Sequence, residues 1–238
     1  IYVLGHGSNL LINDEGVRGA VVKLAGTELT HREFEGDWIT AYGGADLGEL
    51  VRECAKRSLA GLEGVAGIPG SVGGAVRMNA GGVYGDVGSA VESVMLMDSD
   101  GNVFEREKPD LQFDYRWTNI TAKFILAARL KLSAGDPEQI LKQIKEIWIY
   151  KKNTQPLNTK NAGCVFKNPR GLSAGALIDR AGMKGTQIGG AQVSEKHANF
   201  IVAHEGCKSA DILKLINTVR QSVKEQFDVE LELEVEIW

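Results

Sequence analysis

At 238 residues, 43% of them hydrophobic, the chain has enough apolar volume for one large or two small domains. A net charge of -4 with no basic run excludes nucleic acid or an anionic membrane as the main partner, and no apolar stretch reaches membrane-spanning length. Three scattered cysteines, Cys54, Cys164 and Cys207, form neither an even disulfide framework nor a metal-ligand spacing, so no metal is expected and a reducing cytoplasm is the expected setting.

Ile1 to Leu4 reads as a buried strand with no turn or cap before it, as if the chain starts inside a domain. G-H-G-S-N follows (Gly5 to Asn9), then a short apolar strand and a turn at Asn13 to Gly16. A dinucleotide fingerprint would open a helix here, so this is not a Rossmann loop. Two readings stay open: an anion nest with Ser8 and Asn9 as donors, or an ordinary hairpin turn, with His6 a passenger in either. Ala20 to Ala41 predicts three strands, with Glu35-Gly36-Asp37 turning the second into the third. Asp46 is the expected N-cap of a helix, with Glu49 three residues on, Leu47, Leu50, Val51, Cys54 and Ala55 at helical spacing, and Gly61 closing it.

From Gly61 to Gly88, ten of twenty-eight positions are glycine. Glycine loses more backbone entropy on ordering than any other residue, so this density implies positive φ or a ligand lying against bare backbone. Apolar residues set between the glycines (Ile68, Pro69, Val72, Val76, Met78, Tyr84) argue against a flexible linker. The expected ligand is a large anion, met by exposed N–H groups and by a helix starting near Ser71. A hairpin, Val91 to Asp98 and Val103 to Arg106, comes next, then Tyr115-Arg116 before a strand over Phe124 to Leu132. Spacing alone makes Arg116 a surface cation or half of an ion pair.

Composition changes around Ala134 to Pro137, which places a domain boundary at 134/135. Asp136-Pro137 opens a helix with an expected apolar face of Ile140, Ile144, Ile147 and Trp148. In N-A-G-C-V-F-K-N-P, Asn161 to Pro169, Cys164 is either inert core or a thiol placed for chemistry. A short helix near Ser173 to Ala181 and a strand over Ala198 to Ala203 follow, with His197 and His204 as polar strand-end residues. Ser209 is the expected cap of the last helix, and V-E-L-E-L-E-V-E-I-W ends the chain as one alternating strand. Glu230, Glu232, Glu234 and Glu236 then share a face, and periodicity selects none of them.

Taken together, G-x-G-S-N-L-L, G-I-P-G-S-V-G-G-A-x-x-M-N-A-G, Tyr-Arg before a strand, A-G-C-x-F-K-N-P, G-G-A-Q-V-S-E-K-H-A-N-F-I-V and a closing L-E-x-E-V resemble the UDP-N-acetylenolpyruvoylglucosamine reductase (UDP-N-acetylmuramate dehydrogenase) family, in order over essentially the whole chain. The short interval between Arg116 and Cys164 resembles the family's second type. The resemblance implies an α+β protein: an FAD-binding domain of the vanillyl-alcohol-oxidase type, residues 1–134 and incomplete at its start, then a smaller α+β substrate domain, residues 135–238. It implies NADPH as reductant, a nucleotide-sugar substrate and a role in peptidoglycan precursor synthesis; a monomer is expected.

Residue by residue, the resemblance implies FAD contacts at Gly5, Gly7, Ser8, Asn9, Gly67, Pro69, Gly70, Ser71, Gly73, Gly74, Asn79, Ala80 and Gly81. Arg116 and Glu234 match active-site residues, Cys164 takes the place of a proton-donating serine, and Tyr115, Lys167 and Asn168 match substrate contacts. The chain departs from the pattern at Cys164, at Leu233 for proline and at Glu236 for arginine, and it lacks the residues that precede G-x-G-S-N, so weaker flavin binding is expected. Two rival readings are another FAD-dependent oxidoreductase of the same flavin fold and a non-catalytic nucleotide-sugar-binding remnant.

Overall fold

Alternation of buried and half-exposed residues along Trp38–Tyr42, and the mostly buried run Val91–Met97, build the centre of a five-stranded antiparallel sheet. Its order is Val103–Glu107, Val91–Met97, Phe124–Lys131, Trp38–Tyr42, Arg32–Glu35. The computed structural model describes residues 1–238 and divides the α+β chain into two compact units, 1–6 with 19–150 and 7–18 with 151–238.

In the first unit the helix Leu47–Lys56 begins where expected, with Asp46 Oδ1 accepting from Glu49 N at 2.7 Å. It ends at Lys56 rather than at Gly61, because Ser58 at φ +57 turns the chain into the strand Leu59–Ala60. Ser71 caps the short helix Val72–Arg77. Leu47, Leu50, Cys54, Val72 and Val76 join Ile39, Val94, Leu96 and Leu130 in one core. Burial pushes the Cys54 thiol up to about 12, with Glu53 and Glu63 adding to the rise, so this cysteine is core.

The expected 134/135 boundary lies inside this unit. The helix Pro137–Thr154 places fully buried Ile147 in the first core with Ile144 against it, which keeps residues up to Tyr150 there. Trp148 does not share that face and is 50% exposed.

The second unit packs the antiparallel strands Gln187–Ile188, Ala191–Val193 and Ile201–Ala203 with the helices Ala174–Arg180 and Ser209–Phe227. Leu10–Leu11 pairs in parallel with Glu236–Ile237. The last helix has Lys208, not Ser209, at its N-cap. Ser209 Oγ and N instead donate to Asp14 Oδ2 at 2.9 and 2.8 Å, tying the 7–18 segment to the helix start. The terminal decapeptide is not one strand, since only Glu236–Ile237 pairs as one. Leu231 and Val235 are buried as alternation requires, but the stretch around them follows an irregular path beside residues 165–167.

Candidate functional site

In the first unit a cavity of about 100 Å3 is walled by Gly5, Gly43, Gly44, Gly73 and Gly74, with Ser71 beside them. Lys23, Arg77 and Lys123 supply its cationic side chains, His6 lies among them, and no carboxylate is among its lining residues. Gly43, Gly44 and Gly5 each have a steric reason. An added Cβ would fall 2.0 Å from Ile125 O at Gly43, 2.4 Å from Leu24 O at Gly44 and 2.6 Å from Ser71 Oγ at Gly5. At Gly74 it would meet only Ser71 Oγ, at 3.3 Å.

The nest of exposed N–H groups expected across Gly73 and Gly74 is not formed. Gly73 N donates to Gly43 O at 2.8 Å and Gly74 N to Ser71 Oγ at 3.3 Å, as the closing of this loop onto the sheet requires. What the loop offers a ligand is bare surface. Together with the cations, that surface fits the close approach of a flat or extended anion such as FAD.

Sequence reasoning missed Gly43, Gly44, Lys23, Arg77 and Lys123. The glycine pair between a predicted strand and the Asp46 cap was the available signal. Burial lowers the Arg77 pKa, and its guanidinium donates to the carbonyls of Ile120, Ala122 and Lys123, holding the loop before the strand Phe124–Lys131. His6 is more than a passenger, since its Nδ1 lies 3.5 Å from Asp46 Oδ2 beside the helix cap.

Gly67, Pro69, Gly70, Asn79, Ala80 and Gly81 do not line this cavity. Gly67 (φ +70) and Gly70 (φ +153) shape the turn around Pro69, and Gly70 O accepts from Leu47 N at 3.0 Å. Ala80 and Gly81 lead into the pair Gly81–Gly82 and Gly85–Asp86. Tyr115 and Arg116 occupy the turn between Phe113–Asp114 and Trp117–Thr118. Arg116 takes φ +54, donates from Nη2 to Gly81 O at 2.9 Å and lies 5.0 Å from the Tyr115 ring centroid. Tyr115, Asp114 and Asn79 line a second cavity of about 470 Å3 in this unit.

In the second unit the A-G-C-V-F-K-N-P segment runs between residues 199–200 and 232–235. Cys164 pairs with Phe200 and Phe166 with Leu233 as isolated bridges. Val165 O accepts from Glu234 N at 2.9 Å, so Cys164 and Glu234, far apart in sequence, arise from neighbouring backbone. Of the four alternating glutamates, Glu230, Glu232 and Glu236 are exposed and Glu234 is half-buried, a distinction periodicity cannot make. Asn9 Nδ2 donates to Glu234 O at 2.9 Å. Gly7, Ser8 and Asn9 thus belong to this unit, whereas Gly5 and His6 belong to the first.

Lys167 Nζ lies 2.5 Å from Glu232 Oε1, so Glu232 is the counter-ion of an expected substrate contact and not a silent neighbour of Glu234. Asn168 Oδ1 accepts from Ala174 N at 3.0 Å, at the start of the helix Ala174–Arg180. Buried Asn199 exchanges both amide ends with Phe166, Oδ1 accepting from N at 3.0 Å and Nδ2 donating to O at 2.8 Å. Among the expected catalytic residues, Cys164 and Glu234 lie on neighbouring backbone of this unit, and Arg116 belongs to the first.

Residues 1–106 match the family described as FAD binding domain. Residues 155–238 match that described as UDP-N-acetylenolpyruvoylglucosamine reductase, C-terminal domain. A UDP-N-acetylenolpyruvoylglucosamine reductase from Bacillus velezensis is 43% identical over 238 residues, covering 99% of this chain and 78% of the relative. One from Clostridium tetani is 41% identical over 236 residues, with 98% and 76% covered. The crystal structure of the Thermus caldophilus UDP-N-acetylenolpyruvylglucosamine reductase superposes with a TM-score of 0.87 at 42% identity, covering 99% of this chain and 84% of that one.

Proposed function

The chain belongs to the UDP-N-acetylenolpyruvoylglucosamine reductase family, and from that premise we propose how its own residues carry the reaction. The enzyme is an FAD-dependent oxidoreductase that reduces the enolpyruvyl ether of UDP-N-acetylglucosamine to the lactyl ether with NADPH, in peptidoglycan precursor synthesis. FAD, when bound, would supply the hydride-transfer chemistry that links NADPH to the enolpyruvyl group.

The glycine wall and its cations bind and orient the anionic cofactor. Hydride addition places enolate charge beside the substrate carboxylate, and the fixed guanidinium of Arg116 stabilises that charge as it develops. Cys164 donates the proton that reaches the α-carbon, as a thiol in the place of the family's serine. Glu234 completes the acid and hydrogen-bonding arrangement next to Cys164. Lys167, held by Glu232, and Tyr115 bind the anionic and ring portions of the nucleotide sugar. A cytoplasmic setting belongs to the same reading, supported by three free cysteines and the need for NADPH. No helix is long and apolar enough to cross a membrane.

The observation that supports this assignment is the hydrogen bond from Glu234 N to Val165 O, which brings the backbone of the one half-buried glutamate of the terminal segment next to the segment that bears Cys164. Stopped-flow kinetics of the two half-reactions test it. Arg116→Ala and Glu234→Gln should slow flavin reoxidation by substrate, by about a hundredfold or more for the arginine, while flavin reduction by NADPH changes little. An effect confined to the NADPH step would overturn the roles.

A further inference from the structure

Tyr115 and Arg116 sit on a two-residue strand pair, a unit with little stability of its own. Arg116 also adopts a left-handed backbone (φ +54) that its surroundings must impose, since an L-residue does not choose it freely. The surrounding contacts come from the M-N-A-G stretch. Asn79, itself at φ +42 and 3% exposed, uses both ends of its amide on backbone. Its Nδ2 donates to Asp114 O at 3.0 Å and its Oδ1 accepts from Gly88 N at 3.0 Å. Two residues on, Gly81 O receives the Arg116 guanidinium at 2.9 Å.

Gly88 leaves no slack in this arrangement, because a Cβ there would fall 2.5 Å from the Phe113 ring and 2.7 Å from Asn79 Oδ1. The strand that enters the Tyr-Arg turn is therefore gripped between Asn79 and the 86–90 segment. At its other end Asn119 Oδ1 accepts from Gln112 N at 3.0 Å.

We propose that Asn79 is a positioning residue for the reduction, aiming the Arg116 guanidinium, and that its place in the motif does not reflect a side-chain contact with the flavin. This rests on the role given to Arg116 above. Asparagine suits the task because one planar group donates to the strand carbonyl and accepts from the loop N–H. Aspartate keeps the acceptor but turns an oxygen toward Asp114 O, and alanine removes both bonds.

The test compares the flavin-loaded wild type with Asn79→Ala, Asn79→Asp, Arg116→Ala and the Asn79→Ala/Arg116→Ala pair. FAD affinity and the NADPH half-reaction of both Asn79 variants should stay near wild type, while reoxidation by substrate slows by about tenfold to a hundredfold, the cost of a slightly misplaced group. The double variant should be no slower than Arg116→Ala alone, because both losses act through one guanidinium. Weakened FAD binding with normal reoxidation, or multiplied effects in the double variant, would overturn the proposal. If Arg116→Ala does not slow reoxidation, the role of Arg116 fails separately. Crystal structures of the Asn79 variants then still decide the positioning claim: a guanidinium displaced from Gly81 O upholds it, and an unmoved one rejects it. Asn79→Asp, which retains the bond from Gly88 N, serves where Asn79→Ala does not fold.

Discussion

Adjacent glycines in the same motif should differ in what the same substitution costs the fold. At Gly73 an added Cβ would lie 3.0 Å from Gly43 O and 3.3 Å from Ile125 O, fixed backbone of the residue that follows the strand Trp38–Tyr42 and of the sheet's central strand. Gly73→Val therefore overpacks the apoprotein itself, at a cost of about 1–3 kcal/mol. At Gly74 the single neighbour is the capping Ser71 Oγ at 3.3 Å, which need shift by only a few tenths of an ångström, and the residue lies within the helix Val72–Arg77, where valine in place of glycine recovers a few tenths of a kcal/mol of helix propensity. Gly74→Val should leave the apoprotein's melting temperature close to wild type. It should nevertheless project a side chain into the glycine-walled cavity and weaken FAD binding by about 1–3 kcal/mol, roughly one to two powers of ten in Kd. Thermal melts of the apoprotein and FAD titrations followed by flavin fluorescence separate the two cases. For Gly73→Val both readouts should fall, and for Gly74→Val only the affinity should. Wild-type FAD affinity in Gly74→Val would refute the assignment of this cavity to the cofactor, and an unchanged melt in Gly73→Val would refute the packing argument.

If Cys164 is the proton donor, Cys164→Ser should keep substantial turnover and Cys164→Ala should lose most of it, and the basic limb of the reoxidation rate should move up or vanish in the serine variant. Thiol alkylation in a Cys207→Ser background should report on Cys164 alone, because burial pushes the Cys54 thiol up to about 12; protection by substrate is expected, and inactivation that substrate does not slow would count against a place in the pocket. Burial, with the charge of Lys184 adding to it, holds the His197 imidazole below its ordinary 6.5, so the unfolded chain binds the proton more readily. The stability that neutral His197 contributes is complete above pH 6.5 and is lost as pH falls from there through the folded value; thermal melts of His197→Gln should be less pH-dependent across that acid range than those of wild type, and parallel curves would reject the assignment.

Much of the secondary structure was legible because local signals and tertiary packing agree. Asp46 and Ser71 cap the helices they precede, and the Asp98 turn joins its two strands as the residues suggest. The misses are places where long-range contacts prevailed. Ser209 looks like a cap in sequence, but Asp14 takes its hydroxyl and N–H, a partner no local window contains. The terminal V-E-L-E-L-E-V-E-I-W alternates as a strand, yet its partners are residues 165–167 on one side and Asn9 and Leu11 on the other, and such short, divided pairing does not support a continuous ladder. The site was legible as motifs rather than as roles. The glycine stretch reads as a source of exposed N–H groups, whereas at Gly73 and Gly74 the N–H groups close the loop and the missing side chains form the wall.

The same device recurs in both units and explains why polar motif residues are hard to assign from sequence. Asn79 and Asn199 are each 3% exposed, and each bonds backbone with both ends of its amide. Each adjoins a segment bearing an expected catalytic side chain, Arg116 through Asp114 in one unit and Cys164 through Phe166 in the other. A carboxamide can stand in for a neighbouring strand at one residue, offering a donor and an acceptor in one plane, where a strand of only two residues lacks enough ladder to hold itself. Burial strengthens those bonds and makes their loss costly, so the residue is constrained as tightly as one that touches the ligand. A motif therefore marks both kinds of residue alike. The direction of each amide, visible only in the folded chain, is what separates the groups that would meet flavin and substrate from those that aim them.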